Sequence, residues 1–174
     1  MNIRRLLFVA AVLIVPFTAH ASDFLPRVGI EVSVASHNDR KDLKGTNIAT
    51  VTQHRALQIH ISGRPSAPET RMVHWTTYGR DLRSHALVPL ESGEIPIDLS
   101  RGGWQVLETT EVSTTSTAAH ATVSGRGRRV RVHKLDAAGV KFAGYRVEVR
   151  EGSAVIGVVA EPRDLPPIRA SAAR

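Results

Sequence analysis

One basic segment carries most of the chemistry that this sequence offers. Residues 124–134 read S-G-R-G-R-R-V-R-V-H-K and place five positive charges within nine residues. If the segment forms a strand, Arg129, Arg131 and His133 line one face at intervals of about 6.6 Å, and the two valines between them point into the core. Guanidinium groups bind phosphates and carboxylates through paired hydrogen bonds. We therefore predict a basic stripe that binds a ligand, made of Arg126, Arg128, Arg129, Arg131, His133 and Lys134.

The alternative interpretation of this segment is an exposed edge strand whose charges prevent aggregation. Nucleic-acid binding is disfavoured, because it would also need exposed aromatic side chains between the charges. The segment contains no aromatic residue of that kind.

Histidine is the second residue type that could do chemistry, with eight copies in the chain. His60 and His74 become neighbours if their strands pair, which would give a two-histidine metal site. The alternative is two independent histidines, because no carboxylate is obviously placed to complete a site. We predict no metal site, and we keep His60 and His74 as the weaker alternative.

Catalytic motifs are absent from the sequence. It has no G-x-S-x-G, no H-E-x-x-H, no glycine-rich phosphate loop and no G-x-G-x-x-G. The chain contains no cysteine, which excludes disulfides, thiol nucleophiles and thiolate metal sites. We therefore predict no catalytic residue and no cofactor.

The first 21 residues are typical of a cleavable bacterial export signal. Arg4 and Arg5 precede an apolar run from Leu6 to Phe17, and Ala19-His20-Ala21 supplies small residues for cleavage before Ser22. The alternative is a short membrane anchor that is not cut. Cleavage would lower the formal charge from +7 to +5, because the signal contains two arginines and no acids. We expect a periplasmic or secreted protein with a bias toward anionic neighbours.

Period-two alternation dominates the rest of the chain. It is clear in V-G-I-E-V-S-V from Val28, and in V-H-W-T-T-Y from Val73, where bulk on both faces predicts a central strand. Glycine at position 152 predicts a hairpin turn between two strands. Seven to nine short strands favour an all-β, antiparallel sandwich. We place this domain at residues 22–162, with a disordered tail at 163–174.

Several local predictions accompany this sandwich. Residues 37–46 are predicted as a loop, and residues 85–99 as two short strands around Ser92-Gly93. The Ser/Thr run 109–122 is predicted as a loop, with an exposed strand as the alternative. Trp75, Trp104 and Tyr145 are predicted as core anchors. Arg146, Glu148 and Arg150 are predicted to form a solvent-exposed face of paired charges.

The chain resembles exported bacterial immunoglobulin-like or fibronectin type III-like sandwich domains. The strand V-G-I-E-V-S-V, the strand V-H-W-T-T-Y and the hairpin G-Y-R-V-E-V-R-E-G-S-A-V-I-G-V-V carry the resemblance, over residues 27–162. The resemblance implies a scaffold used mostly for binding or spacing.

The sequence favours a non-enzymatic structural or binding module of the cell envelope. Its expected partner is an anionic glycolipid, a polysaccharide or an acidic envelope protein that contacts the basic stripe. The alternative is a hydrolase or metal-dependent enzyme whose site uses His60, His74 and loop carboxylates. A third possibility is a domain stabilised inside a larger assembly through its edge strands.

Overall fold

The computed structural model describes residues 28–42, 48–63, 71–99, 102–124 and 131–168. Every helix or strand assigned in these ranges is a β-strand, so the all-β prediction is confirmed. The predicted export signal lies outside the described residues. Within those ranges, no helix has the length and apolar character needed to cross a membrane. The strands are β1 (Val28–Asp42), β2 (Ala49–Gly63), β3 (Arg71–Asp81), β4 (Leu87–Ile97), β5 (Trp104–Glu108), β6 (Val112–Thr117), β7 (His120–Ser124), β8 (Arg131–Leu135), β9 (Ala138–Glu151) and β10 (Ala154–Glu161).

Eight of these strands form an antiparallel sandwich of two sheets. In the first sheet, β2 pairs with β1 on one side, and with β5 and β6 on the other. The second sheet has the order β4-β3-β9-β10. Strand β9 also pairs with β6 through Gly139 and Ala138, which joins the two sheets. Strands β7 and β8 form a separate hairpin.

The core between the sheets follows the predicted alternation. Leu57, Ile59 and Ile61 of β2 are at most 1% exposed, and they belong to the same buried cluster as Val147 and Val149 of β9. Burying each such side chain contributes about 1.5–3 kcal/mol relative to leaving it in water. Alternate residues on these strands face water or a covering segment.

Two of the three predicted aromatic anchors are confirmed. Trp75 and Tyr145 are buried in the cluster. The prediction for Trp104 is wrong, because its side chain is 68% exposed. Trp104 lies on the outer face of β5. Among the residues of this strand, only Leu107, on the opposite face, is buried in the core.

Strand β3 is central, as predicted, with β4 and β9 as its neighbours. The two short strands expected at residues 85–99 are instead one strand, β4. Gly93 does not turn the chain: it lies opposite Trp75, and a Cβ at this position would come within 2.8 Å of the indole. Glycine therefore provides room for the ring. Pro89 and Pro96 are tolerated because β4 pairs only with β3 among the described strands.

Two segments predicted as loops are largely strand where the structure describes them, and residues 43–46 of the first lie outside the described residues. Most of the Ser/Thr run forms β6 and β7, and Val112, Thr114 and Ser116 point inward and are buried. Strand β6 pairs with β2 along its length, and this pairing places these small side chains on the inner face of the sheet. Strand β1 continues to Asp42 because β2 pairs with it as far as Ala49. Pairing across the sheet outweighs the local polar composition in both cases.

The segment 165–168, here called the C-terminal strap, covers the outer face of the second sheet. Residues 163–168 were assigned to the tail from the sequence, yet Leu165 is only 5% exposed. The hydroxyl of Tyr78 donates to the Pro166 carbonyl at 3.2 Å. Arg146 Nη1 donates to the Leu165 carbonyl at 3.0 Å. Residues 169–174 lie outside the described residues.

Glu148 is buried beneath the C-terminal strap. Its carboxylate accepts hydrogen bonds from Arg146 Nε at 2.7 Å and Arg150 Nη2 at 2.5 Å. It also accepts from the backbone N–H of Ile168 at 3.2 Å. The predicted solvent-exposed face is therefore wrong for Glu148, whose exposure is 2%. The three residues do pair their charges, but under a cover that the sequence pattern did not reveal.

Candidate functional site

The β7–β8 hairpin carries the described part of the basic stripe. Arg131, His133 and Lys134 lie on β8, and all three side chains are exposed. Arg126, Arg128 and Arg129 lie outside the described residues. Arg131 and His133 share one face of the strand, as alternation predicts.

The apolar residues of β8 are not in the core. Val132 was predicted to be buried but is 54% exposed, and Leu135 is 52% exposed. Strand β8 pairs only with β7 among the described strands, and all five of its residues are exposed. The hairpin therefore presents cationic and apolar side chains together.

A cavity of about 520 Å³ lies at the root of this hairpin. Both connections that lead into the hairpin line it, through Ala118 and Ala119 on one side and Ala137 on the other. His120, the first residue of β7, also lines it. The volume lies within the range of about 300–1,000 Å³ that small-molecule sites occupy.

The walls of the cavity are mainly apolar, and two cationic side chains are among the residues that line it. Arg40 comes from the end of β1 and Lys141 from β9, whereas Ile48, Val51 and Leu82 contribute apolar surface. Arg40 Nε donates to Asp42 Oδ1 at 2.9 Å, but both side chains are 69% exposed. Exposed pairs of this kind are worth about 0–1 kcal/mol, so Arg40 can turn to another anion at little cost.

The strand register explains why this end of the sandwich stays open. Arg40, Val51 and Ser116 occupy positions with the same parity as the core residues of β1, β2 and β6. Alanines in the two connections are too small to fill the space between the sheets at this end. An apolar cavity with cations at its edge suits a ligand with an apolar part and a carboxylate or phosphate.

The weaker alternative, a metal site at His60 and His74, is wrong. His60 lies on β2, on the outer face of the first sheet, and pairs in register with Glu31 and Val106. His74 lies on β3 of the second sheet, and its Nδ1 is 3.1 Å from Glu94 Oε1. The core separates the two side chains because the strands do not pair. Within the described ranges, no three potential ligands are grouped so as to hold a metal ion.

A histidine–carboxylate cluster that was not predicted lies on the outer face of the first sheet. His54 Nδ1 is 2.9 Å from Glu111 Oε1, and His54 Nε2 is 3.2 Å from Asp39 Oδ2. The hydroxyl of Ser113 is 2.8 Å from the same Nδ1. No sequence motif marks this cluster, because it depends on the register of three strands.

This cluster resembles a nucleophile, a base and an orienting acid, but its geometry opposes that chemistry. A general base must offer one ring nitrogen as an acceptor to the hydroxyl. Nδ1 of His54, the nitrogen next to the Ser113 hydroxyl, also contacts Glu111, and Nε2 contacts Asp39, so neither ring nitrogen is left to the hydroxyl alone. Asp39 and Glu111 are 65% and 60% exposed, so the cluster is a solvent-exposed polar network.

The cavity and the hairpin together form the candidate site, since they combine volume, apolar walls and exposed cations. No family model, no curated protein and no solved structure matches this chain.

Proposed function

We propose that the protein is a non-enzymatic, exported binding module of the cell envelope, built on an immunoglobulin-like sandwich, that binds an anionic glycolipid. The observation that carries the proposal is the cavity at the root of the β7–β8 hairpin, with Arg40 and Lys141 at apolar walls. The apolar part of the ligand would occupy the cavity, and its anionic group would contact the cations.

The hairpin extends the positive surface beyond the cavity. Leu135 is opposite His120, which lines the cavity, and Lys134 is the next residue along β8. Arg131 lies four residues from Leu135, or about 13 Å along the strand. Cations spaced in this way favour a ligand with more than one anionic group over a simple fatty acid.

The exposed apolar residues of the hairpin favour a lipid over a soluble polysaccharide. Val132 and Leu135 offer apolar surface beside the cations. A polysaccharide bound through its charges alone would leave this surface and the cavity walls in water. A lipid surface would cover both, because its headgroups are anionic and its interior is apolar.

Lys141→Glu tests the cavity directly. The purified protein should bind phosphatidylglycerol vesicles but not phosphatidylcholine vesicles, and the Lys141→Glu variant should bind at least about tenfold more weakly. The physical reason is that a carboxylate would replace an ammonium group at the cavity. Vesicle co-sedimentation at about 50 mM and about 500 mM NaCl measures the effect, and binding should fall at the higher concentration.

Arg163→Glu is the matched control, because it makes the same charge change at an exposed position that does not line the cavity. It should bind within about twofold of the natural protein. Equal losses in the two variants would show that only net charge matters, and unchanged binding of Lys141→Glu would contradict the proposed site.

Ala119→Phe separates a lipid from a soluble polyanion. Phenylalanine would fill part of the cavity without changing any charge, so vesicle binding should weaken while dextran sulfate binding stays the same. If this variant binds both the vesicles and dextran sulfate as well as the natural protein does, the cavity holds no apolar group and the ligand is not a lipid.

A further inference from the structure

Trp104 forms an exposed aromatic platform on the outer face of the first sheet, at a distance in sequence and fold from the β7–β8 hairpin. Its side chain is 68% exposed, and the neighbouring Val106 is 37% exposed on the same face. Single exposed apolar residues are common on proteins, so exposure alone carries no conclusion. The surroundings of the ring distinguish this tryptophan.

A depression of about 390 Å³ lies beside the indole, and Glu31, His60 and Ser62 line it. The strand register explains its shape. Trp104 pairs in register with Ser62, which pairs with Gly29, so the residue farthest from the ring has no side chain. The large ring therefore forms one wall, and the β1–β2 pair forms a low floor.

Two parallel rows of side chains, all polar except Val106, continue this surface across the same three strands. The first row contains Glu31, His60 and Val106. The second contains Ser33, Gln58 and Glu108, in which Ser33 Oγ donates to Gln58 Oε1 and Gln58 Nε2 donates to Glu108 Oε1, both at 3.4 Å. These bonds are long and exposed, so the groups remain available to a ligand.

The chemistry of this face matches a neutral sugar chain. A pyranose ring has an apolar face of C–H groups, which can stack on a flat indole, and a rim of hydroxyl groups. Carboxylate, amide and imidazole groups pair with such hydroxyls as acceptors and donors. Neither polar row contains a lysine or an arginine, and Glu31 and Glu108 would repel an anionic sugar.

We propose that Trp104, with the two polar rows beside it, is a binding site for a neutral oligosaccharide. The site is independent of the proposed lipid site, because it shares no residue with the cavity and uses no cation. Its affinity should therefore be insensitive to salt. A module with both sites would contact a neutral glycan and an anionic lipid at separate surfaces.

Calorimetric titration with three neutral hexasaccharides, cellohexaose, chitohexaose and maltohexaose, tests the site on the full protein. At least one should bind saturably, with the same affinity at low and high salt. Binding should shift the tryptophan emission, since Trp104 is the exposed fluorophore and Trp75 is only 4% exposed. If none of the three binds at millimolar concentration, the proposal is wrong.

Substitutions then locate the site. Trp104→Ala should lower the affinity for the sugar at least about tenfold. Trp104→Phe keeps a stacking face, so its affinity should stay within about threefold of the natural protein. Val158→Ala is the control for loss of exposed apolar surface, because Val158 is 45% exposed on β10 of the second sheet, and it should leave the affinity within about twofold. Equal affinity in Trp104→Ala and the natural protein would overturn the proposal, provided that both melt at the same temperature, as expected for a side chain so exposed.

Discussion

Replacing Glu148 with glutamine should destabilise the protein by about 3 kcal/mol, which is at the lower end of the cost of breaking a buried ion pair. The carboxylate is 2% exposed and lies between Arg146 and Arg150. Glutamine removes the charge that compensates both guanidinium groups beneath the C-terminal strap. Thermal unfolding measures the effect, and the midpoint should fall by about 10 °C.

Glu94→Gln is the matched control for this substitution. Glu94 also pairs with a basic side chain, His74 at 3.1 Å, but the carboxylate side chain is 46% exposed. Water solvates such a group, so its loss should change the stability by less than about 1 kcal/mol. If the two variants lose the same stability, burial of Glu148 under the strap has no energetic importance.

The same carboxylate predicts an acid-sensitive stability. Burial raises the pKa of Glu148, but hydrogen bonds from Arg150, Arg146 and the Ile168 N–H outweigh it and hold this pKa below its ordinary value. A carboxyl whose pKa is lower in the folded state stabilises the fold above its unfolded pKa of about 4.3, and this contribution is lost as the pH falls through the folded value. Urea unfolding from pH 7 to pH 3 should show this loss in the natural protein, and a smaller one in Glu148→Gln.

Gly144→Ala should have a comparable effect, about 3 kcal/mol or more, through the backbone. Gly144 has a φ of +150°, and a Cβ there would clash with the carbonyl oxygen of Glu161. Strand β10 would have to move away from β9 to accommodate it. Urea unfolding compares this variant with Gly152→Ala in the β9–β10 turn.

Gly152 has a φ of +59°, but no atom lies within 4 Å of the place that an added Cβ would take. Alanine there should lower the free energy of unfolding by only about 1–2 kcal/mol, which is the cost of holding an L-residue in the left-handed conformation. A loss in Gly144→Ala no greater than in Gly152→Ala would mean that the strands adjust without cost.

Alternation in the sequence correctly predicted the strands that have one buried face and one exposed face. Strand β2 shows this, because Leu57, Ile59 and Ile61 are buried as one set. Alternation failed where a distant segment changes the exposure of a face. Glu148 looks solvent-exposed in the sequence, and only the strap, about 20 residues later, buries it.

Residue type was a poor guide to burial at two positions. Trp104 was predicted in the core because tryptophan is usually buried, yet β5 is a short strand whose core-facing residue is Leu107. Thr114 was predicted in a loop because its neighbours are polar, yet pairing with β2 buries it. Local composition cannot report either outcome, since both depend on which strands become neighbours.

The candidate site was predicted only in part. The basic segment is visible in the sequence, and the structure places Arg131, His133 and Lys134 on an exposed hairpin. Arg40 and Lys141 were not predicted, because they lie about 100 residues apart in the chain and meet only at the open end of the sandwich. Their contribution depends on the fold and has no sequence motif.

Strand β9 has a consequence for how the molecule unfolds. It pairs with β6 of the first sheet at one end, and with β3 and β10 of the second over the rest of its length. Neither sheet can open fully without breaking hydrogen bonds that the other shares through this strand. We therefore expect a single cooperative unfolding unit, in which the slowest-exchanging amides of both sheets report the same free energy of opening.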